Sequence, residues 1–268
     1  MIWLFIVIAV LLLILFLLCP TLRQHPDKKL CKNLYVAHRG LHDIENGIPE
    51  NSLLAYKNAL AHGYAIEIDI HITKEGKVAV FHDDDLKRMC GVDKKIEDLT
   101  EKELKKYFLL DTKEKIPMLE EVLDIVNGKV CLVIEFKCNQ NNYKQLCIAA
   151  NEILKNYKGK YIVQSFNPLA MGWYKNNRKD ICRGQLSSHF IKSKNKDLVK
   201  ILIGYLLLNV ISRPDFISYN HKFTNVLQRR ICIMLGAISA GWTFRNQKEL
   251  DKHKNEYQIY IFEGFIPN

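Results

Sequence analysis

The sequence predicts an α/β protein folded as a closed (β/α)8 barrel, a TIM barrel, preceded by one transmembrane helix. Three observations carry that reading. Strand-like apolar runs begin near residues 34, 65, 130, 160, 181, 215, 236 and 258, and each but the last is followed by a helical stretch. Such alternation builds a parallel sheet, and eight units suit a closed barrel. Roughly 240 residues remain beyond the apolar start, enough for one large α/β domain. A doubly wound open sheet is the alternative, but no glycine-rich turn follows the first strand to support it.

Taken in order, the chain opens with Ile2 to Cys19, eighteen residues without a charge, a glycine or a proline. At 1.5 Å per residue that run nearly crosses a bilayer core of about 30 Å. Nothing basic precedes it and no small-x-small cleavage site ends it, so it reads as a retained span rather than a signal peptide. Residues 1–22 are therefore expected to be a transmembrane helix and 23–33 a basic juxtamembrane linker. Arg23, Lys28, Lys29 and Lys32 face only Asp27 there. The positive-inside rule then places the remainder, 34–268, in the cytoplasm. The net charge of +10 agrees with an anionic membrane surface or substrate. No helix-turn-helix, zinc-finger or RNA-binding signature is present, so nucleic acid is not an expected partner. Eight scattered cysteines without a C-x-x-C pair read as reduced thiols.

Within the domain, Leu34 to His38 is a short buried strand. Asn51 or Ser52 caps a helix that Gly63 ends. Ala65 to Thr73 is a strand, Lys74 to Lys77 a turn, and Val78 to His82 the returning arm of a hairpin. Residues 83–117 are polar and irregular, and Thr100-Glu-Lys-Glu103 is a capping box within them. The remaining strands alternate with helices to the end of the chain. One helix, 197–211, holds ten Leu, Ile or Val residues between 198 and 211. It is too short to span a membrane and reads as an outer barrel helix, with dipping into a headgroup layer beside the mouth as the second reading.

The chemistry lies at strand ends. Residues i and i+2 of a strand share a face, so Glu67 and Asp69 point one way and Ile66, Ile68 and Ile70 the other. Glu135 and Lys137 likewise oppose Leu132, Ile134 and Phe136. In a barrel the apolar side packs on helices and the acids face the mouth. Glu67, Asp69 and Glu135 would repel one another without a cation between them, and oxygen-only ligands suit Mg²⁺ or Ca²⁺. His38 and His82 end two strands near that cluster. An ordinary pKa near 6.5 lets one serve as base and the other as acid, and a phosphodiester needs both. Arg39 and Lys137 supply positive charge for non-bridging oxygens. Glu50 either orients Arg39 or joins the metal shell.

His38-Arg39-Gly40, Pro49-Glu50-Asn51-Ser52, Glu67-Ile68-Asp69, Val80-Phe81-His82-Asp83, Ile116 to Glu121 and Ile134-Glu135-Phe136-Lys137 stand in the order and spacing of the glycerophosphodiester phosphodiesterase family. Gln164 to Asn167 and Gly241-Trp242-Thr243 also resemble its motifs. The resemblance implies a TIM barrel with a small insertion, about 84–116, after the His-Asp strand. It implies His38 and His82 as the acid/base pair, Glu67, Asp69 and Glu135 as ligands of a divalent cation, Arg39 and Lys137 on phosphate, and Trp242 on the glycerol side. The implied reaction is hydrolysis of glycerophosphodiesters to sn-glycerol 3-phosphate and an alcohol. Lysophospholipids are substrates of some membrane-bound members. A phospholipase of C or D type is the rival within enzymes, and a non-catalytic lipid-binding protein the rival outside them. The chain departs from the family pattern at its end, where Glu263-Gly264 replaces an Asp-Gly and no final helix follows, which puts closure of the barrel in question.

Overall fold

A computed structural model describes residues 1–23, 25–190, 197–223 and 225–268. Eight parallel strands form its barrel: β1 (Leu34–Ala37), β2 (Ala65–Ile72), β4 (Leu132–Phe136), β5 (Tyr161–Ser165), β6 (Arg183–Ser187), β7 (Phe216–Asn220), β8 (Ile238–Phe244) and β9 (Ile259–Phe262). The short β3 (Val78–Val80) returns antiparallel along β2. Closure is complete without a final helix. β1 pairs with β2 on one side and with β9 on the other, in register from Leu34↔Ile259 to Ala37↔Phe262. Four consecutive residue pairs are enough to seal the ring.

The periodicities seen in the sequence explain the layering. Ile66, Ile68 and Ile70 face outward into the layer shared with α2 (Leu53–Ala61), α5 (Leu119–Val126) and α6 (Tyr143–Leu154). Each such side chain stabilises the fold by about 1.5–3 kcal/mol through burial. Alternate residues fill the barrel itself: Val36, Val133, Ile162, Phe216, Ile238 and Ile261. Ser52 caps α2 by accepting from Ala55 N–H, and Glu121 reaches back to Met118 N–H at the start of α5 (2.7 Å). The segment after the His-Asp strand carries α3 (Lys87–Cys90) and α4 (Glu101–Leu104) and packs its own apolar cluster around Phe81, Leu86, Leu104 and Ile116. All eight cysteines are free thiols.

Two expectations need correction. The N-terminal helix α1 runs over Ile2–Leu18, seventeen residues rather than a span over 1–22. Among the described residues, no helix is long and apolar enough to cross a membrane. At 1.5 Å per residue α1 is about 25 Å long, and its last residue is claimed by the barrel: Leu18 is fully buried against Leu206, Ile217, Tyr219 and Cys232. The apolar stretch 198–211 is not one helix either. It breaks into α8 (Leu198–Gly204) and α9 (Asn209–Ser212), with Leu206 in the left-handed region at φ 60°. That break turns Leu206 into the core. Among the apolar residues of this stretch Leu198 and Val199, at the start of α8, are exposed, and the others are partly or fully buried.

Candidate active site

Parallel strands deliver their C-terminal ends to one rim, and the residues singled out above meet there. His38 follows β1, Glu67 and Asp69 lie within β2, and His82 follows β3. Glu135 lies in β4, Lys137 directly after it, and Trp242 in β8. A cavity of about 330 Å³ is lined by His38, Arg39, Glu67, His82, Glu135 and Trp242, among others. Asp69, grouped with Glu67 and Glu135, has no exposed surface.

The three carboxylates each place one oxygen within 4.8 Å of the others. Burial pushes the Glu67 carboxyl well above the usual carboxylate range, and the neighbouring Asp69 and Glu135 add to it. Burial also raises Glu135. It acts on Asp69 too, but Lys137, His82 and Arg39 outweigh it and hold that carboxyl low. Glu67 Oε1 is buried without a hydrogen-bond partner, and Asp69 Oδ1 and Glu135 Oε1 accept no well-aligned hydrogen bond. Lys137 Nζ stands 3.2 Å from the former and 2.5 Å from the latter. Unsatisfied carboxylate oxygens converging in a buried site are costly unless a cation takes them up. The donor set, oxygen only, therefore fits a hard divalent ion.

The backbone around Arg39 is shaped to the same end. Arg39 has φ 56°, and its N–H donates to Glu67 Oε2 at 2.9 Å. Gly40 follows at φ 81°, where an added Cβ would lie 2.9 Å from the Ala55 Cβ, so only glycine fits. Asn51 Nδ2 donates to Asp69 Oδ2 at 2.9 Å and is itself held by Tyr56 Oη at 2.8 Å. Glu67 and Asp69 thus each keep one oxygen engaged by the protein while the other turns to the shared site.

Both histidines are oriented through Nδ1. His38 Nδ1 lies 2.5 Å from Glu263 Oε2, and His82 Nδ1 lies 2.6 Å from Asp83 Oδ1. A carboxylate on Nδ1 places the proton there and leaves Nε2 as the nitrogen for substrate. Burial lowers the pKa of His82, against the pull of Asp69 and Asp83. Glu263 is held down to about 2: burial opposes this, but the bonds from His38 and Arg245 prevail. Glu50 orients Arg39 rather than joining the triad: Arg39 Nη1 donates to its Oε1 at 2.7 Å.

Sequence reasoning missed three groups here. Glu263 was seen only as a departure from a pattern, and its position just after β9 was the available signal. His42, four residues past His38, also lines the cavity, with its Nε2 buried and unpartnered. Arg88, on α3, ties the two halves of the site together. Its Nη2 donates to Glu50 Oε1 at 2.6 Å and its Nε to Asp83 Oδ2 at 2.7 Å. One guanidinium thus braces the orienting partner of Arg39 and that of His82. Arg88→Met is expected to lower kcat about tenfold, or 1.4 kcal/mol, with little change in melting temperature because the side chain is half exposed. Arg88→Lys cannot span both carboxylates and should recover only part of the rate; steady-state kinetics beside thermal melts check this.

The fold and this rim define a TIM-barrel protein with a buried acidic triad, two histidines, an arginine and a lysine gathered around one cavity. The chain belongs to the glycerophosphoryl diester phosphodiesterase family, whose model matches residues 38–262. It is 35% identical over 151 residues to a glycerophosphodiester phosphodiesterase of Caldanaerobacter subterraneus subsp. tengcongensis, covering 51% of this chain and 59% of that protein. It is 32% identical over 161 residues to lysophospholipase D GDPD1 of Rattus norvegicus, covering 55% and 49%. In these alignments the chain spans about half the length of the curated relatives it matches. Among solved structures, an Oleispira antarctica phosphodiesterase in complex with sn-glycerol-3-phosphate superposes with a TM-score of 0.71 at 22% identity, over 85% of this chain and 92% of that one. At that identity the likeness concerns the fold.

Proposed function

We propose that this protein hydrolyses glycerophosphodiesters to sn-glycerol 3-phosphate and an alcohol, with a divalent cation, Ca²⁺ or Mg²⁺, held by Glu67, Asp69 and Glu135. The observation that carries the reading is the placing of His38 and His82, each with Nδ1 occupied by a carboxylate, around one buried acidic triad. The cation would polarise a phosphoryl oxygen and offset charge in the transition state. Arg39, fixed by Glu50, and Lys137, fixed beside the triad, face the non-bridging oxygens. One histidine removes a proton from the attacking oxygen, which is either water or the glycerol hydroxyl next to the ester. The other delivers a proton to the departing alkoxide. Glu263 and Asp83 stabilise the imidazolium that forms on each. Trp242 is held edge-on to Phe166 (ring centroids 5.8 Å apart) by its Nε1–H bond to Ser218 O, and offers its ring to the glycerol carbons.

The exposed apolar α1 and the basic stretch after it support attachment to a membrane, with the barrel in the cytoplasm. Hydrolysis of lysophospholipids, as in a lysophospholipase D, is the second reading, favoured by the likeness to the rat protein. The test is product analysis. Purified protein with Ca²⁺ or Mg²⁺ is expected to release glycerol 3-phosphate from glycerophosphocholine. Preferential release of lysophosphatidic acid from lysophosphatidylcholine would select the second reading. No turnover on any diester would leave only a binding role.

A further inference from the structure

In a barrel of parallel strands every strand starts at the end opposite the catalytic mouth, so whatever precedes β1 must arrive at that base. The segment joining α1 to β1 is fastened there. Thr21 N–H donates to Pro214 O at 3.0 Å, and Lys28 Nζ donates to Gly236 O at 2.9 Å. His25 Nε2 lies 3.0 Å from Asp180 O, and Arg23 pairs with the buried Asp215 at 3.0 Å. Pro214 and Asp215 precede β7, Gly236 precedes β8 and Asp180 precedes β6, so all are base residues. Cys31 then plugs the barrel from below, packed with Val36, Cys182 and Phe216. The linker is spent on these contacts and leaves no length for α1 to reach the mouth.

From its buried Leu18, α1 leaves the barrel. Arg213 holds the exit, donating to Phe16 O and Cys19 O at 2.8 Å each and lying over the Phe16 ring. Outward of that point every large apolar side chain is exposed, from 37% at Ile14 to 99% at Met1. The apolar surface continues onto the base itself through Leu22 and Met234, exposed by 75% and 85%. Lys29, Lys32, Lys129, Lys158 and Lys179, all exposed, lie at the same end of the barrel, just before strands or at their approaches. At the mouth, by contrast, exposed large apolar side chains are scattered: Leu198 and Val199 on α8, and Ile44, Leu227 and Ile266 on other segments that follow strands. A flat bilayer cannot meet both ends of a barrel, and a whole contiguous apolar helix with lysines at the same end outweighs these scattered side chains.

We propose that the base of the barrel sits on an anionic lipid bilayer, with α1 inserted in the acyl region and the catalytic mouth turned away toward water. The proposal rests on reading α1 as the membrane attachment. It implies that the diester reaches the site from the aqueous phase, and that a lysolipid must leave the bilayer before it can be cleaved.

Tryptophan quenching tests this with the full chain. Trp3 lies on α1, Trp242 lines the mouth, and Trp173 is replaced by Phe. Two variants keep Trp3 alone or Trp242 alone, each with intact far-ultraviolet dichroism. Both are bound to vesicles of phosphatidylcholine and phosphatidylglycerol with brominated acyl chains. Severalfold quenching of Trp3, with Trp242 unquenched by the lipid and open to aqueous acrylamide, is the expected result. Quenching of both residues overturns the orientation while leaving membrane attachment standing. No quenching of Trp3 removes the attachment itself. Lys29→Glu with Lys32→Glu should weaken binding to the anionic vesicles severalfold, and equal binding would show that the base does not face the headgroups.

Discussion

His38→Ala is expected to lower kcat on glycerophosphocholine by about 10²–10⁴-fold, the range for loss of a positioned general acid or base. KM should change far less, because Arg39 and Lys137, the charges proposed to meet the phosphate, stay in place. The fold should survive: His38 lies just beyond β1, and its ring is held from the cavity side by Glu263. Removing His82 should cost a similar factor. The double variant should lose much less than the product of the two, since neither proton transfer is useful without the other. The pH profile separates the two roles. The wild type should give a bell, and each single variant should lose one limb of it. Glu263→Gln adds a sharper check. A glutamine can still bond Nδ1 but cannot stabilise an imidazolium by charge, so kcat should fall about tenfold with substrate affinity retained. If His38→Ala leaves kcat within threefold of wild type, the proton-transfer assignment is wrong and the histidine merely packs.

How much of this could be read from residues alone is decided by range of interaction. β2 and β4 announce themselves because alternation is local: Ile66, Ile68 and Ile70 against Glu67 and Asp69 fix which face turns inward before any partner is known. The triad follows once the strands are neighbours, as the pairing Asp69↔Glu135 shows. The strand starts at 34, 65, 161 and 216 likewise sit within a residue or so of their expected places. What stayed hidden is non-local. Arg88 lies 38 residues from Glu50 in an irregular stretch, and nothing in its own surroundings marks it. Glu263 is 225 residues from His38 and becomes its partner only because β9 closes on β1. The break at Leu206 was hidden for the opposite reason. An unbroken apolar run satisfies helical periodicity whether or not the helix continues, and the core space that draws Leu206 inward belongs to β7 and α10 (Leu227–Met234). α1 stops at Leu18 because Pro20 has no N–H to continue it and turns Cys19 out of the helical region, to ψ 121°.

Asp69→Asn is expected to abolish measurable turnover, a loss beyond about 10³-fold, together with divalent-ion binding. Asp69 is the one carboxyl of the triad that the surrounding positive groups keep low, so it carries the most dependable charge. It also borders Lys137 at 3.2 Å, Arg39 Nε at 3.5 Å and Asn51 at 2.9 Å. Activity alone would not separate loss of the ion from loss of geometry, so stability supplies the second readout. An ion that binds only the folded chain should raise wild-type stability by about 2.7 kcal/mol at a hundredfold excess over its dissociation constant. Asp69→Asn should show no such rise in melting temperature with Ca²⁺ or Mg²⁺. Glu67→Gln presses the same point from the other side. Without the ion, Glu67 is a buried carboxyl that its environment already drives toward the neutral form, so glutamine should leave the ion-free protein as stable as wild type or more so. With the ion, that advantage should reverse, because one ligand has been lost. Chelation should silence the wild type and either cation restore it. A wild-type protein whose melting temperature and turnover ignore both chelator and cation would mean that Lys137 alone, already 2.5 Å from Glu135, neutralises the triad.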